Sequence, residues 1–372
     1  HAQILIGQTV GITGSAAGKN LTINGTVGST NGAVTLKALA GAIGEDTNGK
    51  VYASTLAGSS SGDTTLNGTN NQIAALGGFS AANFSLIDAH ALATNGALTT
   101  TGGTGDISLK TTGSSNSLSV NQALSGGVIT LNSASGLTVG NAVTGTSVAL
   151  SASGNLAINA KVSSGSGATT LTSGGTISEG SNGVIAAGTL TGTSTGSTAL
   201  KGANQVGTLG NFTANGFSLT NAQVLTVAGT IDGGNGATSI ATTAGALTVY
   251  GNVSGGSVAL GGQAGLGVNG DVDSGAGTTT LTSGSTISEG SGSVITAGSL
   301  TGSSSGATVL GGANVVAKLG NFTANAFSFT NAQALTVSGA VNGGSGTASL
   351  ATTAGNLTVA GSVAGSAVKL SA

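Results

Sequence analysis

The chain is written in one short phrase that recurs throughout: apolar-x-apolar, two or three small or polar residues, then apolar again. It reads ILIGQTV from Ile4, LTINGTV from Leu21, LSVNQAL from Leu118, LTVGNAV from Leu137 and LAINAKV from Leu156. It returns as LTVAGTI from Leu225, LTVYGNV from Leu247, LGVNGDV from Leu266, LTVSGAV from Leu335 and LTVAGSV from Leu357. Neighbouring phrases begin 17 to 22 residues apart, and the steps Leu118 to Leu137 and Leu137 to Leu156 are both 19. Strict alternation is the signature of a strand with one buried side. In LTVAG, Leu225 and Val227 therefore point inward and Thr226 outward. Gly229 permits a turn, and Ile231 restarts the inward pattern on the next face. Clusters such as GGNG at 233–236 and SSGSG at 163–167 read as corners. A single coil of this kind cannot bury its apolar side, whereas stacked coils can, each strand pairing in parallel with its equivalent above and below. The pattern thus predicts an all-β, single-stranded parallel β-helix of about 18 rungs of about 19–22 residues, with helices absent or trivial.

A longer repeat encloses the short one. Residues 171–180 read LTSGGTISEG and residues 281–290 read LTSGSTISEG. Likewise NFTANGFSLT at 211–220 returns as NFTANAFSFT at 321–330, and NAQVLTV at 221–227 as NAQALTV at 331–337. A more divergent copy precedes them: GAIGEDTNGKVYASTL at 41–56 and LGGFSAANFSLIDAHAL at 76–92 match the later copies but sit in a longer unit. One continuous solenoid over 1–372 is expected. Its long repeats are 32–166, 167–276 and 277–372, the last incomplete, following the end of a unit at 1–31.

Composition narrows the possibilities. Gly accounts for 70 of 372 residues, charged residues for 5% and aromatics for 2%, while Pro, Cys, Met and Trp are absent. The missing proline fits a chain whose strand interiors all need their N–H for a ladder. Without the Gly-X-Y period the chain is no collagen. Without Cys it is neither a disulfide scaffold nor a thiolate metal site, and its two His, His1 and His90, are too few for a zinc site. A net charge of −2 with eight Lys and no Arg is not a nucleic-acid surface, and no apolar run is long enough to span a membrane. The recurrence of Thr, Val and Ile argues against disorder.

Several residues invite a chemical reading, and each has a plainer one. Asp271 and Asp273 share a strand face as a catalytic carboxylate pair would, yet a corner follows them and the preceding copy has Lys161 and Ser163 there, so they read as a solvated surface pair. Glu45, Glu179 and Glu289 occupy one phase of the long repeat, which predicts corner carboxylates accepting backbone N–H bonds rather than a cation site. GGTGD at 102–106 occurs once, whereas calcium-binding repeats need stacked copies. His90 aligns with Gln223 and Gln333 and supports no triad. The sequon at Asn211 is weak in so Ser/Thr-rich a chain. The pairs Phe79/Phe84, Phe212/Phe217 and Phe322/Phe327, with Phe329 added, read as core filling. Outward Thr at 22, 138, 226, 248, 336 and 358 suggests an ice-ordering ladder, but Ala157 and Gly267 interrupt it. No catalytic, cofactor-binding or metal-binding residue is expected, nor any cofactor, and the chain is expected not to be an enzyme.

The repeated LTV-x-G-x-V strands, the Gly/Ser/Thr/Asn/Ala bias and the lack of Cys resemble the repeat region of filamentous haemagglutinin-like exoproteins, the two-partner-secretion adhesins. This resemblance implies a right-handed coil, export to the bacterial surface, and work in attachment, aggregation or biofilm. It implies glycans or neighbouring cells as partners, with no nucleic acid and no membrane span. The family's secretion domain carries Asn-Pro motifs, which a chain without proline cannot contain, so the repeat part alone is expected. The repeat phase at the two ends, with residues 1–31 closing one unit and Ala372 falling inside another, leads to an expectation of self-association end to end or of membership in a much longer chain. A polysaccharide-active β-helix enzyme and a glycan- or ice-binding solenoid are the alternatives.

Overall fold

The structure is a computed structural model that describes residues 9–15 and 18–372; His1 and most of the phrase beginning at Ile4 lie outside the described residues. Its described residues are all-β apart from a 3-10 turn at Thr101–Gly103, where Gly102 and Gly103 adopt φ of +67° and +69°. The strands pair in parallel and stack as a β-solenoid of about 17 turns with a repeat of ~21 residues, as the alternation predicts. Contacts group the chain into two units, His1–Gly188 and Thr189–Ala372.

In the first unit the regular turn has three strands. One turn comprises Leu118–Val120, Leu124–Ser125 and Val128–Ser133, and the next comprises Leu137–Val139, Val143–Thr144 and Ser147–Ala152. Register is kept residue for residue: Leu118, Leu137, Leu156 and Ile177 form one column, and Leu124, Val143, Val162 and Ile185 another. Leu109, Leu131, Leu150 and Leu171 form the third. All of these side chains are buried. Because side chains alternate at period two, a slip of one residue would turn every column out into water, so burial fixes the register.

The second unit repeats the plan with Leu225, Leu247, Leu266 and Ile287 in one column and Ile231, Val253, Val272 and Ile295 in another. Ile240, Leu260 and Leu281 complete the set. The segments 164–167 and 233–236 are turns, close to the corners read from composition, with Ser163 ending the strand Lys161–Ser163. Asn and Asp at corners tie one turn to the next. The Oδ1 of Asn155 accepts the N–H of Thr176 at 2.9 Å, that of Asn211 the N–H of Thr230 at 2.9 Å, and that of Asn321 the N–H of Ala340 at 2.9 Å. These bonds satisfy donors that the short strands leave over.

In each long repeat, three-strand turns give way to long strands, such as Lys50–Ser60 and Gln72–Ala81 in the first and Ile295–Ser304 and Thr308–Thr323 in the last. Thr308–Thr323 runs through what would be two corners and pairs in sequence with Phe327–Asn331, Leu335–Val337 and Ala340–Asn342. Thr198–Thr213 does the same with Phe217–Asn221, Leu225–Val227 and Ile231–Asp232. The register shifts between Leu200 and Asn204 and between Leu310 and Asn314, a bulge that lets one long strand serve several short ones. The phenylalanines gather here. Phe79 and Phe84 pack with ring centroids 4.9 Å apart, Phe212 and Phe217 at 4.8 Å, and Phe322 and Phe327 at 4.6 Å, all buried. Glycine makes room for them: a Cβ on Gly58 would collide with the Leu36 carbonyl and the Phe79 ring, and one on Gly302 with the Leu281 carbonyl and the Phe322 ring.

Candidate functional site

The residues weighed for chemistry fall on the solenoid surface or in its core. Asp271 and Asp273 are exposed on either side of buried Val272. Asp271 accepts the N–H of Val294 at 3.0 Å and Asp273 that of Gly275 at 2.7 Å, so each carboxylate serves the backbone of a corner. Asp106, at the end of the GGTGD string, likewise accepts the N–H of Val128 at 2.8 Å. The outward threonines do form short ladders, Thr226 beside Thr248 and Thr336 beside Thr358, and Ala157 and Gly267 interrupt them beside Thr138 and Thr248. Among the described residues no group of three or more His, Asp or Glu is gathered where it could hold a metal ion. Nor is any helix long and apolar enough to cross a membrane.

The polar chemistry of this fold lies inside, where the long strands bulge. Glu289 points its Oε2 at the N–H of Gly312, 2.8 Å away, and at the Nδ2 of Asn314, 3.0 Å away. Asn314 is buried; its Oδ1 accepts the N–H of Ile295 at 2.7 Å, and its Nδ2 also donates to the Thr330 carbonyl at 3.1 Å. Asn331, the next turn's buried amide, accepts the N–H of Val316 at 2.9 Å and donates to the carbonyls of Val316 and Gln333 at 2.9 and 3.0 Å. The first long repeat builds the same chain from Glu45, Asn71 and Asp88. Glu45 accepts from Gly68 N–H at 2.7 Å and Asn71 Nδ2 at 3.0 Å, and Asn71 accepts the N–H of Val51 at 2.7 Å. In both copies burial raises the glutamate pKa, opposed by these two hydrogen bonds. Glu45 and Glu289 thus accept backbone N–H groups as their shared phase predicts. The glycines at 68 and 312 are part of the seat, since a Cβ on either would press on the carboxylate at 2.8 Å.

The partners of these glutamates were missed in the sequence. Asn71, Asn204 and Asn314 stand at one phase of the three long repeats, and Asp88, Asn221 and Asn331 at another. That recurrence was the available signal. Its meaning was hidden, because Asn in so Asn- and Gly-rich a chain reads as a corner residue, whereas these side chains replace a corner by bridging inside the core.

On the outer side of the same region the first copy departs from the others. Tyr52, Ser54, Gln72 and His90, with Ala53 and Ala74, line a hollow of about 250 Å³. Tyr52 lies opposite Gln72 in register. The equivalent positions hold Ala186, Gly188, Gln205 and Gln223 in the second copy and Thr296, Gly298, Val315 and Gln333 in the third, so neither repeats the Tyr–His pairing. Ser54 donates to the Gly32 carbonyl at 2.8 Å, leaving its oxygen as an acceptor. The His90 Nδ1 sits 3.1 Å from the Ala91 carbonyl and donates to it, leaving Nε2 outside that contact. The lining offers an aromatic side chain, an amide, a hydroxyl oxygen and an imidazole, with no Asp, Glu, Lys or Arg among its residues.

Compared with family models, with curated proteins and with solved structures, the chain finds no match.

Proposed function

We propose that this chain is a structural and adhesive β-solenoid, of the kind the filamentous haemagglutinin-like exoproteins exemplify, secreted to a bacterial surface or biofilm matrix. Its work in this reading is mechanical and interfacial, not catalytic. The observation that carries it is the in-register stacking of successive turns, as in Leu225, Leu247, Leu266 and Ile287: such a turn presents the same ladder edge that it receives, so a filament can grow by adding turns or by docking one solenoid on another. A nearly uncharged Thr/Ser/Asn exterior supports contact with neutral surfaces. Negative-stain microscopy of the protein across a range of concentrations tests the filament, with cell fractionation of the source bacterium testing its location. Filaments lengthening with concentration, and protein in the surface fraction, are the expected results. Short particles of fixed length and cytoplasmic protein contradict the reading.

The hollow beside Tyr52 supports a neutral sugar residue as the adhesive contact, its ring against the aromatic face and its hydroxyls on Gln72 and His90. A glycan array read with the parent chain and with Tyr52→Ala tests this. Binding of uncharged glycans that falls at least tenfold in the variant supports it, and equal signals from both proteins contradict it.

A further inference from the structure

Asp88 occupies the position that Asn221 and Asn331 hold in the other two long repeats. The three side chains share one environment. Each is fully buried, and each accepts a backbone N–H through Oδ1: Asp88 from Ile73 at 2.9 Å, Asn221 from Val206 at 2.8 Å, Asn331 from Val316 at 2.9 Å. They differ at the second polar atom. In the amides, Nδ2 donates to two carbonyls, those of Val206 and Gln223 at 3.0 and 3.1 Å, or of Val316 and Gln333 at 2.9 and 3.0 Å. By equivalence, Asp88 presents an oxygen to the carbonyls of Ile73 and His90, and this Oδ2 is buried with no hydrogen-bond partner. An anionic oxygen facing carbonyl oxygens is repelled by them, whereas a carboxylic O–H satisfies one of them.

We infer that the first long repeat contains a proton-sensitive latch: Asp88 is held as a neutral carboxylic acid that donates to a backbone carbonyl, and losing the proton weakens the turn that bears Gln72 and His90. Burial acts in the same direction and raises the pKa to about 7, against backbone N–H groups of Ile73, His90 and Ala89 that favour the anion. The neighbouring elements bring no counter-charge. Thr111 lies opposite Asp88 on Ile107–Thr111, whose Lys110 is exposed. Thr64–Leu66 has no titratable group. On Gln72–Ala81 the facing residue is Ile73, and on Lys50–Ser60 both Lys50 and Tyr52 lie only half-buried. Asn71 is committed to Glu45 and to carbonyls, and His90 is exposed.

The sign follows from linkage. The folded acid holds its proton more tightly than the unfolded one, whose ordinary value is 3.8, so the latch is at full strength below that value. Its contribution falls as pH rises towards about 7 and is gone above it. Denaturation midpoints of the full chain and of Asp88→Asn, measured from about pH 4 to about pH 9, test this. The parent is expected to lose stability across that window, while Asp88→Asn, with its amide supplying the missing donor, loses clearly less and is the more stable protein at about pH 8. An infrared carbonyl band of a neutral carboxylic acid, present at about pH 6 in the parent and missing from Asp88→Asn, is expected as well. Parallel pH profiles, or a variant less stable than the parent at about pH 8, overturn the inference, as does the lack of that band.

Discussion

At the scale of single residues, the repeats act as controls on one another. Gly216 adopts φ of +95°, and the equivalent position in the next copy is Ala326, at φ of +93°, the one non-glycine with positive φ among the described residues. Its N–H bonds the Gly343 carbonyl at 2.9 Å, so the turn holds the residue in a conformation that a Cβ resists. Replacing Ala326 with Gly is expected to raise stability by about 1 kcal/mol, the usual scale of such strain. Urea denaturation read by circular dichroism measures it, and a loss of stability contradicts the account. The outward and inward assignment of residues such as Leu225, Thr226 and Val227 was legible in the sequence, because alternation is a local signal. The buried amides were not, because what Asn314 does depends on a glutamate 25 residues earlier and a carbonyl 16 residues later.

At the scale of elements, the short strands were legible and the long ones were not. Leu247–Val249 lies between Gly245 and Gly251, and Leu266–Val268 between Gly265 and Gly270, and each boundary proves to be a corner. Thr308–Thr323 contains GGAN and KLGN, which carry the same corner composition, yet it stays extended. The difference lies in its own Asn314 and in Glu289 of the preceding turn, which take up polar groups that a corner would have turned to water. The short strands also show a gap in an outward column. Gly267 interrupts the outward column between Thr248 and Ser288, and a Cβ there would meet its nearest atoms at 3.6 to 3.9 Å, ordinary contact. Gly267→Thr is therefore expected to stabilise the protein by ~0.5–1 kcal/mol, through lower backbone entropy in the unfolded chain and a continuous Thr column. Calorimetry of the variant checks this, and a lower melting temperature counts against the column as described.

At the scale of the whole molecule, the absence of proline, the low charge and the uniform small polar residues express a single requirement. Backbone N–H groups bond from turn to turn along the ladders, and the buried side chains are mostly aliphatic or Phe, with Ser, Thr, Asn and Asp88 set among them. The long repeat varies this plan with its long strands, braced by a Glu–Asn chain at Glu45 and Asn71 and at Glu289 and Asn314, and the first copy alone adds Tyr52, His90 and Asp88.

The central claim is that equivalent residues of successive turns lie side by side in parallel register, and the lack of native Cys makes it directly measurable. Thr226 and Thr248 are paired neighbours on the outer side of adjacent turns, at the spacing of parallel strands, which a disulfide can bridge. The double variant T226C/T248C, oxidised at low protein concentration and digested for mass spectrometry, is predicted to form an intrachain disulfide in high yield. The shifted pair T226C/L247C, whose second thiol points into the core, is predicted not to form one. Equal yields from the two pairs, or no intrachain bond in the first, would contradict the stacked coil.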